Sequence, residues 1–283
     1  MTIPRGTAQS PKYQRLAADL RRRITEGEFT TAAALPVESE LERQYGVARN
    51  TVRLAVDVLV NEGRLVRLQG KGTYLREHPV LDHRAYGPAP CLDPQATPHD
   101  CLALPGDVYR DEAAESGREL TVDFEMMIVR ARVDIAERLG LRPGEAIVVR
   151  RQLRMLDREP YSIEESHYRA GLAAGTPLME PDQIDGGDEA VLAALGRTEV
   201  GAVDHLVARM PGPEEAQWFQ GGPGVPLMVQ TRVTYDRRGP VRVIETRYSA
   251  DRSRLVYGVG DLAVRASLPA PAAPVDQARA DAQ

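Results

Sequence analysis

The sequence predicts an α+β protein in two parts, a small helical part followed by a larger body built on an antiparallel sheet. Two observations predict the first part: apolar residues recur at three- and four-residue steps before residue 62, and a glycine-rich hairpin pattern follows. A third predicts the body: after residue 120, β-type segments recur around short turns, with short helices between them. With 283 residues, 42% of them hydrophobic, the chain can bury a core in each part.

Three helices are predicted in the first part. The first spans 13–26 and places its apolar residues on one face, with the arginines at 21–23 largely on the solvent side. The second, 38–45, ends at Gly46, where a helix stop or a tight turn needs positive φ, and the third runs from about 49 to 62. Two helices joined by a short turn that holds a glycine form a helix-turn-helix, whose second helix is short enough to enter a DNA major groove.

A β-hairpin is predicted directly after the helices, with strands at 65–69 and 73–75 and a Gly70-Lys71-Gly72 tip, an arrangement called a wing. Residues 1–78 carry 13 Lys and Arg against 9 Asp and Glu, so the whole-chain net charge of −5 hides a basic head on an acidic body. Such asymmetry is expected when one part meets a polyanion, although a solvated basic helix face would give the same count.

The start of the third helix carries the candidate base-reading residues. Arginine can form two hydrogen bonds to guanine and asparagine two to adenine, while threonine can bond a phosphate or touch a thymine methyl. We expect Arg49 and Arg53 to carry most of the specificity, with the wing tip against phosphates or the minor groove. The candidate DNA-binding residues are Ser39, Arg49, Asn50, Thr51, Arg53, Gly70, Lys71, Gly72 and Thr73. The alternative is a set of solvated arginines and an ordinary hairpin turn.

Several functional classes fit the sequence poorly. Residues 1–10 lack an apolar signal segment and no stretch approaches the ~18 apolar residues of a membrane span, so we expect a soluble, cytoplasmic protein without a membrane partner. Cys91 and Cys101 flank His99 but lack the fourth ligand and paired spacing of a zinc site, so no metal is expected. Lysine occurs only at positions 12 and 71, which excludes a later Schiff-base or P-loop lysine; no cofactor is predicted.

The rest of the chain divides by pattern. Residues 78–119 are proline-rich without sustained periodicity and are predicted to be linker and lead-in, and the Ala- and Pro-rich tail at 263–283 is predicted to be disordered. The predicted strands are 122–124 with 126–128, 146–155, 161–168, 200–208, 227–235 and 241–248; the predicted helices are 134–139, 188–195 and 213–219. The domains are therefore predicted at 8–77 for the head and 120–262 for the body.

Residues 11–76 resemble the winged helix-turn-helix of the GntR family of bacterial transcription regulators. The resemblance rests on Pro11-Lys12-Tyr13, Leu35-Pro36-Val37-Glu38-Ser39-Glu40-Leu41, Gly46-Val47-Ala48-Arg49-Asn50-Thr51-Val52-Arg53, Glu62-Gly63 and Gly70-Lys71-Gly72-Thr73-Tyr74. Many members of this family carry arginine between the two glutamates of the second helix, where this chain has Ser39. A phosphate or base contact used elsewhere is therefore expected to be missing, and the family's operator preference cannot be copied unchanged.

The body resembles the effector domain of the HutC subfamily, called UTRA, which implies the chorismate lyase fold. This likeness covers about 120–259 and rests on Ala136-Glu137-Arg138-Leu139-Gly140-Leu141, Pro143-Gly144-Glu145, Leu153-Arg154-Met155-Leu156-Asp157-Arg158-Glu159-Pro160 leading to Glu164, Gly224-Val225-Pro226-Leu227 and Asp251-Arg252. The candidate effector-binding residues are Arg154, Glu164, Tyr168, Arg247 and Tyr248. For each of them, the alternative is a surface ion pair on a strand.

The resemblance also bears on the chemistry of the effector. In sugar-phosphate-sensing members, two arginines one residue apart help to bind phosphate; here the pair is Gln152 and Arg154. A Ser-Leu-Tyr segment that completes such a site has no clear counterpart around 186–192. With one of the two arginines absent, the charge of a dianionic phosphate would be poorly neutralised. A carboxylate or a neutral metabolite is therefore favoured as the effector.

The combined prediction is a homodimeric, ligand-responsive transcriptional repressor that binds a palindromic double-stranded DNA operator and is released by a small-molecule effector. One alternative keeps the DNA-binding head but gives the body only a dimerisation role. Another, a lyase-like enzyme, would need Ser166-His167 or Asp204-His205 as catalytic parts. Because neighbours along a strand point to opposite faces, neither pair can act as nucleophile and base without a bulge, and no catalytic residue is predicted.

Overall fold

The computed structural model describes residues 10–30, 33–68, 70–76, 80–84, 108–220, 222 and 224–256. Within these, the chain forms two compact units. The described residues of 1–79 and 220–225 make up the first unit, and those of 80–219 and 226–268 make up the second. The tail predicted at 263–283 lies outside the described residues.

The first unit contains three helices and a hairpin, in the predicted order. Its elements are α1 (Lys12–Thr25), α2 (Glu38–Tyr45), α3 (Arg49–Asn61), β1 (Leu65–Leu68) and β2 (Gly72–Leu75). The two strands pair antiparallel, with Leu65 opposite Leu75. Gly46 ends α2 with φ of 62°, a left-handed conformation that explains the glycine in the turn between the two helices. The winged helix-turn-helix prediction is confirmed.

An apolar core holds the first unit together. Its members come from all three helices and from the start of the hairpin, and they include Leu20, Leu41, Val52, Leu59 and Leu65, each at most 1% exposed. They recur along each helix at steps that keep one face buried, which is the pattern that predicted the helices. Burial of such side chains supplies roughly 1.5–3 kcal/mol each, so the core accounts for the stability of this small unit.

One detail of α1 differs from the prediction. Arg21 and Arg22 are on the solvent side, but the Arg23 side chain is only 15% exposed. Its guanidinium lies 4.8 Å above the ring of Phe29 and donates a hydrogen bond to Tyr45 Oη at 2.7 Å. Arg23 therefore packs as part of the core edge, because its long side chain can cover apolar surface while its charge is satisfied.

The second unit is built on a six-stranded sheet in the order β4-β5-β6-β9-β8-β7, and every neighbouring pair in it is antiparallel. Its strands are β4 (Leu120–Arg130), β5 (Ala146–Leu156), β6 (Glu159–Arg169), β7 (Gly201–Arg209), β8 (Leu227–Asp236) and β9 (Gly239–Ser249). Its helices from residue 120 onwards are α5 (Val133–Leu139), α6 (Ala170–Ala173), α7 (Gly187–Ala194) and α8 (Pro213–Phe219). The antiparallel α+β prediction is confirmed.

The segment predicted as linker and lead-in contains regular structure that the sequence pattern missed. Strand β3 (Leu81–Arg84) pairs parallel with β10 (Ser253–Val256), and α4 (Val108–Glu115) precedes the main sheet. No local turn joins β3 to its distant partner, unlike the glycine-rich tip that marked β1 and β2, and α4 buries the polar Glu112 beside Tyr109 and Ala113, which blurs its apolar periodicity. Cys91, His99 and Cys101, dismissed above as zinc ligands, lie outside the described residues.

The strand register assigns each candidate residue to one face of the sheet. Arg154 lies opposite Ser162, and Ser162 lies opposite Tyr248, so these three side chains share a face, which we call face 1. Arg247 lies opposite Ile163 and therefore belongs to the other face, face 2. Face 2 packs on α5 and α8, whereas α7 and the three-residue turn Pro177–Met179 pack on face 1.

No helix among the described residues is long and apolar enough to cross a membrane. The longest, α1, has 14 residues and carries three consecutive arginines.

Candidate functional site

The start of α3 presents its polar residues to solvent. The side chains of Arg49 and Arg53 are 74% and 61% exposed, and Asn50 is also exposed, while Thr51 is half-buried. The opposite face of α3 supplies four buried residues to the core, Val52, Ala55, Val56 and Leu59. Helical periodicity therefore fixes which side chains a duplex could reach, and it selects the ones predicted from sequence.

Glu38, in the first turn of α2, holds both arginines in place. Its carboxylate accepts a hydrogen bond from Arg49 Nε at 2.9 Å and lies 3.9 Å from Arg53 Nε. Since both guanidinium groups are largely exposed to water, their contacts with Glu38 are weak. Either guanidinium can therefore exchange Glu38 for a base edge or a phosphate at little cost.

The remaining DNA-binding candidates are also accessible. Ser39 is exposed next to Glu38. In the wing, Gly70, Lys71 and Gly72 are exposed and Thr73 is half-buried. Gly70 and Gly72 have φ values of 73° and 116°, so the tip depends on glycine conformations. Next to the tip, Leu35 N donates to Thr73 O at 2.7 Å, which ties the second strand of the wing to the segment before α2.

On face 1 of the sheet, Arg154 and Glu164 form a buried pair. Arg154 Nη1 donates to Glu164 Oε2 at 3.1 Å, and Arg154 Nη2 donates to Gln152 Oε1 at 2.6 Å. Tyr248 is fully buried beside them, and its hydroxyl is 2.7 Å from that of Tyr109. Burial raises the pKa of both tyrosines, so the two hydroxyls remain protonated hydrogen-bonding groups.

Tyr168 also lies on face 1, but in a different cluster. Its hydroxyl donates to Asp188 of α7, which in turn accepts from Arg150 Nε at 3.1 Å. Arg242 completes this cluster through ion pairs with Glu189 and Glu199 at 2.6 and 3.1 Å. Burial raises the pKa of Asp188 despite its arginine neighbours. The cluster fixes α7 and the preceding loop on the sheet.

Arg247 is separated from the other effector candidates because it lies on face 2. It pairs there with Glu165, Glu245 and Glu215, and Glu165 also accepts a hydrogen bond from Arg151 Nε at 2.8 Å. Burial disfavours the charged form of Glu165, but the neighbouring Arg247 and Arg151 lower its pKa overall. The structure therefore brings Arg154, Glu164 and Tyr248 together and keeps Arg247 apart.

Some residues of face 1 were not singled out by the sequence. Ser162 and Ser166 flank Glu164 on β6 and share its face, and among the described residues neither hydroxyl has a hydrogen-bond partner. Strand alternation could have identified them, since they stand two positions either side of Glu164. Tyr109 and His83 also reach this region, from the segment predicted as linker and lead-in, where no pattern pointed to them.

The two residue pairs that a lyase-like enzyme would need do not form hydrogen-bonded pairs. His167 Nδ1 bonds Val243 O at 3.1 Å on face 2, whereas Ser166 is on face 1. Asp204 instead accepts two hydrogen bonds from Arg232 at 2.7 Å, and His205 lies beside Arg138. Within the described ranges, no group of three or more His, Cys, Asp or Glu side chains could hold a metal ion.

A wing and an exposed arginine-bearing helix start, followed by a sheet with a polar face, define a DNA-binding regulator with an effector domain. The model of bacterial regulatory proteins of the gntR family matches residues 12–75, and the UTRA domain model matches residues 117–254. The chain therefore joins a DNA-binding domain of the gntR type to a UTRA domain, and it is a ligand-responsive DNA-binding transcriptional regulator.

Relatives with the same organisation cover most of the chain. The HTH-type transcriptional repressor NagR of Bacillus subtilis is 28% identical over 250 residues, which is 87% of this chain and 94% of that protein. The histidine utilization repressor of Pseudomonas putida is 26% identical over 253 residues, 88% and 92% of the two chains. The crystal structure of a GntR-family transcriptional regulator is 27% identical with a TM-score of 0.57, covering 93% of this chain and 99% of that one.

Proposed function

We propose that the protein represses transcription by binding a palindromic operator as a homodimer, and that a small effector in the UTRA domain releases it. The observation that carries the proposal is the exposure of Arg49, Asn50 and Arg53 on one side of a helix whose other side is core. One winged helix reads a short half-site, so two copies are needed for a site that is two-fold symmetric. Relatives described as repressors, among them NagR, support repression rather than activation of transcription.

The effector is a neutral or weakly charged metabolite. In the described part of the chain, the buried arginines are Arg150, Arg154, Arg242, Arg247 and Arg252, and each already bonds a carboxylate or a backbone carbonyl. A phosphate would thus find no uncommitted buried cation there. The hydroxyls of Ser162 and Ser166 are buried on face 1, next to Glu164, without a partner among the residues that the structure describes, and they can bond the hydroxyl or amide groups of a neutral ligand.

The effect required of the effector is modest. A coupling free energy of about 1–3 kcal/mol between the effector and operator sites changes operator affinity about 5- to 150-fold, which is sufficient for induction. The effector must bind the two DNA-binding states of the dimer with different affinity, because a ligand with equal affinity for both shifts nothing.

The test of DNA binding is fluorescence anisotropy or gel retardation with the region upstream of the protein's own gene. We expect saturable binding that survives competition by a scrambled duplex and weakens steeply with salt. Retardation that is indifferent to sequence, or absent at low salt, would contradict the proposal. Sedimentation of the complex should give two chains per operator.

The effector role is tested separately by a thermal-shift screen of metabolites. A ligand that binds only the folded state raises the melting temperature in proportion to its saturation. Any compound that does so is then added to the operator complex, where it should raise the dissociation constant. A screen in which neutral compounds never shift the melting temperature while phosphorylated ones do would contradict the assigned effector class.

A further inference from the structure

Two elements of the second unit lie outside both regions that match the family models. Strand β3 and helix α4 fall between residues 75 and 117, where the first match ends and the second begins. They bring three buried side chains to face 1: His83, Tyr109 and Glu112, which are 5%, 8% and 3% exposed. Of the three, Tyr109 meets the sheet at Arg154.

The guanidinium of Arg154 is enclosed on three sides. Two of its edges are taken in plane, by Glu164 Oε2 at 3.1 Å and by Gln152 Oε1 at 2.6 Å. The ring of Tyr109 covers its flat face, with Arg154 Cζ 3.8 Å from the ring centroid. This distance is typical of a close cation–π contact, which is strongest where water is excluded. Arg154 is 5% exposed as a result.

Tyr109 is itself held in place by its neighbours. Its hydroxyl is 2.7 Å from the hydroxyl of Tyr248, and the ring of His83 stacks on it at 4.3 Å with an angle of 9° between the planes. His83 is fixed in turn by Glu112, whose Oε2 is 2.8 Å from His83 Nδ1. The ring therefore cannot leave Arg154 without breaking contacts to both β9 and β3.

We propose that Tyr109 is a specificity-determining residue of the effector site, which closes Arg154 to anionic ligands by helping to bury its guanidinium. This assignment of face 1 as the effector site rests on the proposed function above. An anion must reach the N–H groups of arginine, and here Glu164 and Gln152 each accept from one terminal nitrogen while the ring of Tyr109 covers the flat face, which leaves Arg154 only 5% exposed. The ligand is thereby directed toward Glu164 and the serine hydroxyls, which select hydrogen-bond donors and neutral polar groups.

The test restores the missing arginine and then removes the ring. The proteins compared are the full-length wild type, Gln152→Arg, Tyr109→Leu and the double variant, and the probe is inorganic phosphate, titrated calorimetrically at constant ionic strength. We expect the wild type and Gln152→Arg to show no saturable heat, and the double variant to show saturable binding of phosphate, with a dissociation constant at least about tenfold below the weakest binding that the titration can detect. Leucine keeps most of the buried volume but lacks both the π face and the hydroxyl.

A matched control separates the role of Tyr109 from general loosening of the aromatic cluster. Tyr161 lies in the same cluster, 6.4 Å from the Tyr109 ring and 1% exposed, but does not cover Arg154. Tyr161→Leu combined with Gln152→Arg should therefore remain unable to bind phosphate. If the Tyr109→Leu proteins lose their cooperative thermal transition, Tyr109→Phe is used in its place, and the variant with Gln152→Arg should still exclude phosphate because the ring remains.

The proposal is overturned if Gln152→Arg alone binds phosphate as tightly as the double variant with Tyr109→Leu, or if the folded double variant binds none. It is also overturned if the Tyr161 control gains the same affinity, or if the Tyr109→Phe combination admits phosphate. Since these titrations contain no DNA, they report on Tyr109 independently of the operator experiments. Failure of operator binding with the expected phosphate pattern would remove the proposed function and leave the closure of Arg154 standing.

Discussion

The two units of this regulator treat charge in opposite ways. In the first unit the described buried residues are apolar, and the arginines expected to meet DNA are more than half exposed. In the second unit, buried arginines and carboxylates run across the sheet in bonded clusters, such as Arg247 with Glu165 and Glu245. In the head, the side chains expected to bind DNA are therefore different from those that stabilise the fold. In the effector domain, a charged side chain can take part in either ligand binding or the stability of the fold.

The largest expected effect is a loss of stability when an arginine is removed from the buried charged cluster of face 2. Arg247→Met leaves Glu165 and Glu245 buried without their central cation, and loss of one partner from such a pair costs about 3–5 kcal/mol. We expect the urea midpoint to fall accordingly. Arg22→Met is the matched control in the head: Arg22 pairs with Asp19 and Glu26 but is 55% exposed, so its loss should leave the urea midpoint almost unchanged. If both variants lower the urea midpoint equally, the two units do not differ in how far charged side chains contribute to stability.

In the head, substitution of an exposed arginine should change the affinity for DNA and leave the stability of the fold unchanged. Arg49→Ala should weaken operator binding by roughly 1–3 kcal/mol, because a two-bond contact to a base is lost, with little change in melting temperature. Arg49→Lys is the sharper comparison, since it keeps the charge but cannot form the planar two-bond contact. It should retain affinity for random DNA and lose preference for the operator. An Arg49→Lys protein with full specificity would assign Arg49 to the phosphates.

The wing should give a smaller and less specific effect. Lys71→Ala removes the one cation of the exposed Gly70–Gly72 tip, so it should weaken binding to all sequences alike. The slope of log K against log salt should fall by about 1 in magnitude. Dependence of the loss on operator sequence would instead mean that the wing reads bases.

The smallest expected effect is the contribution of Glu215 to acid stability. Both oxygens of Glu215 accept hydrogen bonds from Arg209 at 2.6 Å, and these bonds lower its pKa from 4.5 to about 2. Because the folded pKa is depressed, this stabilisation is present above pH 4.5 and is lost as pH falls from there toward 2. Glu215→Gln should lower the urea midpoint at pH 7 and flatten its decline between pH 5 and 3. If Glu215→Gln leaves the decline of the urea midpoint between pH 5 and 3 unchanged, Glu215 does not have this role.

The head could be predicted almost residue by residue because its signals are local. Helical periodicity, Gly46 with its left-handed φ and the glycine tip each act within a few residues, and the structure reproduces α2 at 38–45 and α3 from residue 49. The strands of the body were also predicted to within a few residues. Strands β3 and β10 and helix α4 were missed: β3 and β10 pair with each other across most of the chain, so no local turn marks them as one marks β1 and β2, and the buried glutamate of α4 blurs its apolar period.

For the effector site, the sequence indicated candidate residues but not which of them lie close together in the fold. Arg154 and Arg247 look alike in the sequence, but the register between β5, β6 and β9 puts them on opposite faces. Tyr109 is 45 positions from Arg154 and reaches it through a packing contact that no local pattern encodes. These contacts depend on pairings between distant strands, which a single sequence does not display.

By itself, the sequence determined that a basic, winged three-helix head precedes an acidic sheet domain, and it located the side chains of the head that face solvent. Helix period and turn chemistry are short-range, so the order of residues is enough to fix them. Only the tertiary structure decided which charges of the second domain are committed to one another, and that a tyrosine from outside both family matches covers Arg154. Burial makes that difference, because it forces every charge within a packed sheet to find a partner among residues far away in the chain.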